Sequence, residues 1–380
     1  MSPSCTPPPP VLSDVLAKRY SFSTDDPGYA DRYFQVVHKI SRIIGTWHFR
    51  VLVAPGDEFM GLEAAIASIV GKGDRVVVLS NGPWGDEVST LIRAYGAEPV
   101  VFRGDPRKRI CCDKALSFIE EAGDVKAVVM AHCDESTGVL NDPSCIGRKL
   151  RSSNMVFILD ARATSFACNL NADDWGVNVV VAGVKGPLGI PGGVMILSVD
   201  RKAWDMIEER KLEGAALNLR LWRRFIERVG SPPWITPPFM LSLIEDALDN
   251  ILVEGEDNVY ARNARARDAC WSACRELGFK PFPESIEHAS PTLTSMEPPR
   301  GMVPGDLKLE LWCRWSLLLG EGKGWLRGKV LTIAHMGRAA APQNVLQAWV
   351  LIARLLEERG IVEKGATGRV TEIIAETMGL

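Results

Sequence analysis

The stretch MVFILDARATSFACNLNADDWGVNVVVAGVKGPLGIPGGVMILSV, residues 155–199, decides how this chain folds. It contains three apolar runs, VFIL, VNVVVAG and GVMILSV, each of strand length and rich in β-branched residues. Runs without polar alternation are strands buried on both faces, so the sheet they form is mostly parallel and covered by helices on either side. The first run ends on Asp160, and the second leads through Val184 into Lys185 and the turn-forming loop KGPLGIPGG. A carboxylate at the rim of so apolar a strand requires a cation or hydrogen-bond donors. By spacing alone Asp160 and Lys185 read as a structural ion pair, because one acid and one base at strand ends do not make a motif.

The same pattern extends towards the N-terminus. FRVLVA near 49, DRVVVLS near 74, EPVVF near 98 and KAVVMAH near 126 are further strand-like runs, and helical periodicity separates them, as in Leu62, Ile66, Ile69 and Val70. The expected fold is therefore α/β, with a large, mostly parallel sheet. Residues 1–26, with four successive prolines, read as an extended arm, and a large domain spans 27–257. Beyond it, SPTLTSM near 290, KVLTIAHM near 329 and the helix NVLQAWVLIARLLEE indicate a small α+β domain over 258–380. Ligands of such sheets sit beyond the carboxyl ends of the strands, which directs attention to the loops after Ala54, Ser80, Ala131, Asp160 and Ala182.

Bulk properties remove several functions. A formal net charge of -3 supplies no basic field for nucleic acid. No run of about eighteen apolar residues suggests a membrane span, and no signal peptide is legible, so the expected location is cytoplasmic. The nine cysteines include no C-x-x-C pair, which argues against a metal centre and for reduced structural thiols. No G-x-G-x-x-G opens the first strand-to-helix turn, which disfavours a dehydrogenase.

Six blocks together resemble the class V aminotransferases, the family of alanine:glyoxylate and serine:pyruvate aminotransferases. They are GDEFMGLEAAIASIVGKGDRVVVLSNGPWGDEVSTLIRAYGAEPV, HCDESTGVLND, VFILDARAT, WGVNVVVAGVKGPLGIPGGVMILS, ITPPFMLSLIEDAL and GKVLTIAHMG, in family order over about residues 20–360. The resemblance implies fold type I, a pyridoxal 5′-phosphate cofactor, and transfer of an amino group from a serine- or alanine-like amino acid to glyoxylate or pyruvate. It implies that Lys185 bonds the cofactor aldehyde, that Asp160 holds the pyridine nitrogen protonated, and that Trp84 stacks on the ring. Ser136 matches a hydroxyl that reaches the cofactor. Thr236 matches a threonine that reaches the phosphate of the neighbouring subunit's cofactor, which implies a homodimer with shared sites; equally it reads as the cap of the helix after Pro237 and Pro238.

Four functional positions depart from the family pattern. The small residues of the phosphate cup are Asp57, Glu58 and Phe59, and carboxylates there repel a phosphate or cap the helix themselves. The glutamine before the lysine is Val184, the arginine that grips the substrate carboxylate is Thr332, and the N-terminal GPGP segment has no counterpart before Phe22. Arg162 and Arg327 are the candidates for a displaced carboxylate anchor. The competing expectation is thus a protein of this fold with altered or lost cofactor chemistry. A cysteine desulfurase is disfavoured, since it expects histidine at Val184, and Cys313 sits in the apolar run LELWCRW.

Overall fold

The computed structural model describes residues 28–46, 51–210, 214–229 and 234–380. The expected arm over 1–26 and the Phe22 comparison lie outside the described residues. The strands of the N-terminal part are β1 (Val51–Gly56), β2 (Arg75–Ser80), β3 (Glu98–Arg103), β4 (Ala127–Ala131), the short pair β5 (Cys133–Asp134) and β6 (Val139–Leu140), β7 (Val156–Ala161), β8 (Val179–Ala182) and β9 (Gly193–Val199). Seven of them form one sheet in the order β1-β9-β8-β7-β4-β2-β3, in which only β9 runs antiparallel to its neighbours. β5 and β6 form a separate hairpin.

The unbroken apolar runs have a direct cause. Successive side chains of a strand alternate between faces, and both faces of this sheet are covered. Val77, Val128, Phe157 and Val180 pack into one core with the helices Gly28–Ile43 and Pro238–Glu254. Val76, Val129, Ile158 and Val181 pack into the other with the helices Glu58–Ile69, Trp84–Ala94 and Arg201–Glu209. The positions of the inner strands are therefore almost all apolar until the chain reaches the rim.

The C-terminal part forms an antiparallel sheet of β10 (Lys280–Pro281), β11 (Leu293–Glu297), β12 (Gly320–Glu321) and β13 (Leu331–Ala334), in the order β10-β11-β13-β12. The helices Glu256–Glu276, Pro342–Glu358 and Ala366–Met378 bury Cys270, Trp349 and Ile374 against it. None of the described helices is long and apolar enough to cross a membrane.

One expectation is overturned. Cys112 and Cys145 are not free thiols but a disulfide, with Cα atoms 6.3 Å apart across a separation of 33 residues. Counting cysteines cannot find such a pair, because the contact depends on how the helices Cys112–Glu121 and Ser144–Leu150 pack on the sheet. Closing a loop of that length removes about 3–4 kcal/mol of unfolded-chain entropy. Reduction, or the C112S/C145S double variant, is therefore expected to lower the thermal midpoint by several degrees. An unchanged midpoint by calorimetry with and without reductant would show that the bond contributes nothing.

Candidate active site

The carboxyl ends of β1, β2, β4, β7 and β8 meet at one edge of the sheet, and the loops that leave them bring the candidate residues together. Asp160, the penultimate residue of β7, is buried at 5% exposure. Both of its oxygens are occupied. Arg162 donates from Nε to Oδ1 at 2.9 Å and from a terminal nitrogen to Oδ2 at 2.6 Å, while the Trp84 indole N–H donates to Oδ2 at 2.8 Å. Burial pushes the Asp160 carboxyl up, but the charge and hydrogen bonds of Arg162 outweigh it and leave it below the ordinary carboxylate range. Arg162 also lies over the Phe59 ring at 5.2 Å, so Phe59 packs on the guanidinium.

Lys185 does not pair with Asp160. Its ammonium lies 2.8 Å from Oδ2 of Asp57, with both side chains about half exposed. The hydrogen bond to Asp57 raises the lysine and lowers the aspartate from their ordinary values. Asp57 simultaneously caps the helix Glu58–Ile69, its Oδ1 accepting from Phe59 N at 2.9 Å. Glu58 is buried at 9% exposure, and its Oε1 accepts from the backbone N–H of Val184 at 2.6 Å and of Lys185 at 2.8 Å. Thus Val184 contributes its backbone to Glu58, and its side chain is fully buried. Gly192 lies opposite the lysine, where a Cβ would come within 2.8 Å of Cε of Lys185 and the flexible side chain would have to shift.

Trp84 opens the helix Trp84–Ala94 and is held by a residue that the sequence pattern does not single out. The buried carboxylate of Asp134 accepts from the backbone N–H of Trp84 at 3.0 Å, of Ser136 at 2.8 Å and of Thr137 at 3.2 Å. Gly82 leaves room for it, because any Cβ there would collide with the Asp134 carboxylate. The Ser136 hydroxyl accepts from the backbone N–H of Lys323 at 2.9 Å, and its carbonyl accepts from the Ser295 hydroxyl at 2.7 Å. This serine ties the loop after β12 to the edge of the large sheet. Lys323 Nζ lies 3.3 Å from Glu135, within reach of the same space.

A cavity of about 20 Å³ remains among Trp84, Glu135, Ser136, Asp160, Arg162 and Lys323, room for roughly one water. Larger cavities of about 480 and 640 Å³ lie along the helix Gly28–Ile43, away from these strand ends. Thr332 lies within β13, opposite Ser295 and Gly320, and does not line the cavity beside Asp160. Arg327 is exposed in the turn after Gly324. Thr236 is fully buried in its own chain, where its hydroxyl donates to the Val53 carbonyl at 3.1 Å and its carbonyl accepts from the Tyr29 hydroxyl at 2.8 Å. The cap position of the next helix falls to Pro237.

The profile of the family described as Aminotransferase class-V matches residues 56–220, the segment that carries the cup, Trp84, Asp160 and Lys185. The chain is 24% identical to a pyridoxamine–pyruvate transaminase of Mesorhizobium japonicum, over 88% of this chain and 86% of that one. It is 24% identical to a serine–glyoxylate aminotransferase of Methylorubrum extorquens, over 83% of this chain and 80% of the relative. Residues 56–220 carry the class V aminotransferase profile, and over most of its length the chain is similar to aminotransferases. Among solved structures, a ureidoglycine–glyoxylate aminotransferase of Bacillus subtilis superposes with a TM-score of 0.87 at 21% identity, covering 95% of each chain.

Class V aminotransferases are pyridoxal-phosphate enzymes, and of the residues that the family pattern directs at the ring, Asp160 and Trp84 line one cavity, while the Lys185 amine, from the loop after the adjacent strand, turns to Asp57 and does not line it. Their residue types suit a pyridine ring bearing an aldehyde, while in this structure both Asp160 oxygens are engaged by Arg162 and Trp84. The cup does not fit the phosphate. Its helix N-terminus and the N–H groups of Val184 and Lys185 already donate to carboxylates of the chain itself.

Proposed function

We propose that this protein is a class V aminotransferase that moves an amino group from a small, serine- or alanine-like amino acid to glyoxylate or pyruvate, with Lys185 as the reactive amine. The observation that carries the reading is the convergence of Lys185, Asp160 and Trp84 at one strand edge in a chain that carries this family's profile. The bound cofactor ring supplies the aldehyde that bonds amines and the electron sink that makes a Cα proton removable. With the ring bound, Asp160 would hold a proton on its nitrogen, Lys185 would carry the Cα proton, and Trp84 would pack beside it. The relatives' names support an oxo-acid acceptor, since one is a pyruvate and the other a glyoxylate transaminase. The proposed assembly is a homodimer.

For the acceptor carboxylate, the cation beside the cavity that is outside Asp160's grip is Lys323, which would exchange its half-exposed pairing with Glu135 for the oxo acid. Arg162 is committed to Asp160, and Thr332 offers no charge. In this reading Ser136 is a positioning residue, because its hydroxyl fixes the Lys323 backbone. Purified protein given serine or alanine with glyoxylate or pyruvate should form the transaminated products, measured by chromatography. Lys323→Met should raise the KM for the oxo acid by about tenfold, the loss of one charge-assisted contact, while kcat changes little. No product with any donor–acceptor pair would sink the reading, and an unchanged KM would remove Lys323 from it.

The acidic cup favours a second reading, a protein of this fold with altered cofactor chemistry. Asp57 and Glu58 stand where the family binds the phosphate, and one relative is named for pyridoxamine rather than its phosphate ester. In that case product forms only when a phosphate-free form of the ring is supplied.

A further inference from the structure

The cup at the start of the helix Glu58–Ile69 is built as though its anion were already in place. A phosphate at such a helix end draws on free backbone N–H groups and on the positive end of the helix dipole. Here the Phe59 N–H donates to Asp57, and the Val184 and Lys185 N–H groups donate to Glu58. Glu58 is the more decisive of the two. It is buried, and the two N–H groups that hold it come from the loop carrying the reactive lysine. The Asp57 carboxylate also accepts from the Lys185 ammonium, so the nearest cation is used within the same cluster. A phosphate dianion entering this space loses those donors and meets two negative charges at hydrogen-bonding range.

The surroundings do not compensate. Among the described residues, Glu87, Asp134, Glu135 and Asp160 line the adjoining cavity with only Arg162 and Lys323 as cations, and Arg162 is held bidentately by Asp160. A hydroxyl group meets no such penalty, because it donates to a carboxylate oxygen and carries no charge.

We infer that this site takes its pyridoxal ring in the phosphate-free form, with a 5′-hydroxymethyl group turned towards Asp57 and Glu58. The inference rests on the reading of Lys185, Asp160 and Trp84 as the ring site and adds the chemical class of the ligand's other end. The carboxylates act as a filter. They exclude the ester by charge and leave the ring contacts unchanged. The molecule bound at Lys185 is thereby a free vitamer, supplied by whatever reaction removes the phosphate or precedes its addition.

The test is a pair of binding titrations on the full-length protein, with pyridoxal and with pyridoxal phosphate, followed by visible absorbance. Borohydride trapping and mass mapping of the Lys185 peptide then count what was bound. Pyridoxal is expected to bind at least about tenfold more tightly than its phosphate. Installing small residues in the D57S/E58G double variant should reverse that order. Because Glu58 also holds the lysine loop, the near-isosteric D57N and E58Q variants serve as checks that keep the cup's shape and are expected to narrow the gap. Equal or tighter binding of the phosphate by the parent protein overturns the inference while leaving the aminotransferase reading intact. So does an unaltered ratio in all the variants. Capture of neither compound at Lys185 overturns both.

Discussion

Replacing Lys185 with alanine is expected to reduce amino transfer by at least about 10³-fold while leaving the fold intact. The size follows from the two tasks of this one amine, bonding the aldehyde and carrying the Cα proton, neither of which has a substitute nearby. The other cations at the site are held elsewhere, Arg162 by Asp160 and Lys323 beside Glu135. The small structural cost follows from exposure. The Lys185–Asp57 pair is about half exposed on both sides, and such pairs contribute roughly 0–1 kcal/mol. Calorimetry should therefore find a nearly unchanged midpoint. Lys185→Arg is expected to be as inactive as the alanine variant, because its charge persists but the group is never deprotonated. Activity above about a tenth of the parent's in either variant would show that the reactive amine lies elsewhere.

The pH dependence has a definite sign. Asp57 stabilises the Lys185 ammonium and raises the amine above its ordinary value of 10.5. Only the neutral amine attacks an aldehyde, so capture by Lys185 should accelerate as pH rises. The D57N variant removes the largest cause of the shift, and its profile should move to lower pH.

Much of this arrangement was legible in the sequence. All seven apolar runs became strands of one sheet, because a strand covered on both faces leaves a signal that no surface element mimics. Parallel strands carry their loops to one edge, so Asp57, Trp84, Asp160 and Lys185 meet there despite wide separations in the chain. The pairing among them was not legible. Asp160 and Lys185 sit at the ends of adjacent strands, yet the lysine turns to Asp57 and the aspartate to Arg162, two residues along its own loop. That choice depends on local loop geometry, which residue types do not encode. Asp134 was missed because its partners are backbone N–H groups, invisible to any search for side-chain motifs. Lys323 was missed because a contact across 187 residues, through Ser136, brings it to the cavity. Cys112 and Cys145 escaped for the same reason, since nothing in their spacing reports how two helices pack.

Removing the charge of Asp160 is expected to carry the largest stability cost at the site. In Asp160→Asn the Arg162 guanidinium, whose side chain is only 18% exposed, loses its counter-charge and one of its two strong acceptors. Breaking a buried pair from one side costs about 3–5 kcal/mol, and partial exposure of the arginine places the expected value near the lower end. The Trp84 indole N–H loses a charged acceptor in the same step. A double variant, Asp160→Asn with Arg162→Leu, should regain most of that loss, because no unpaired charge remains buried. The acid limb supplies an independent check. Asp160 is held below its ordinary 3.8 in the folded protein, so its contribution is complete above that value and disappears as pH falls through the depressed one. The asparagine variant lacks that titration, and the stability gap between it and the parent should close as the solution is acidified. A gap that stayed constant from neutral to acid pH, by chemical denaturation, would mean that the Asp160–Arg162 charge pair is not what stabilises this edge of the sheet.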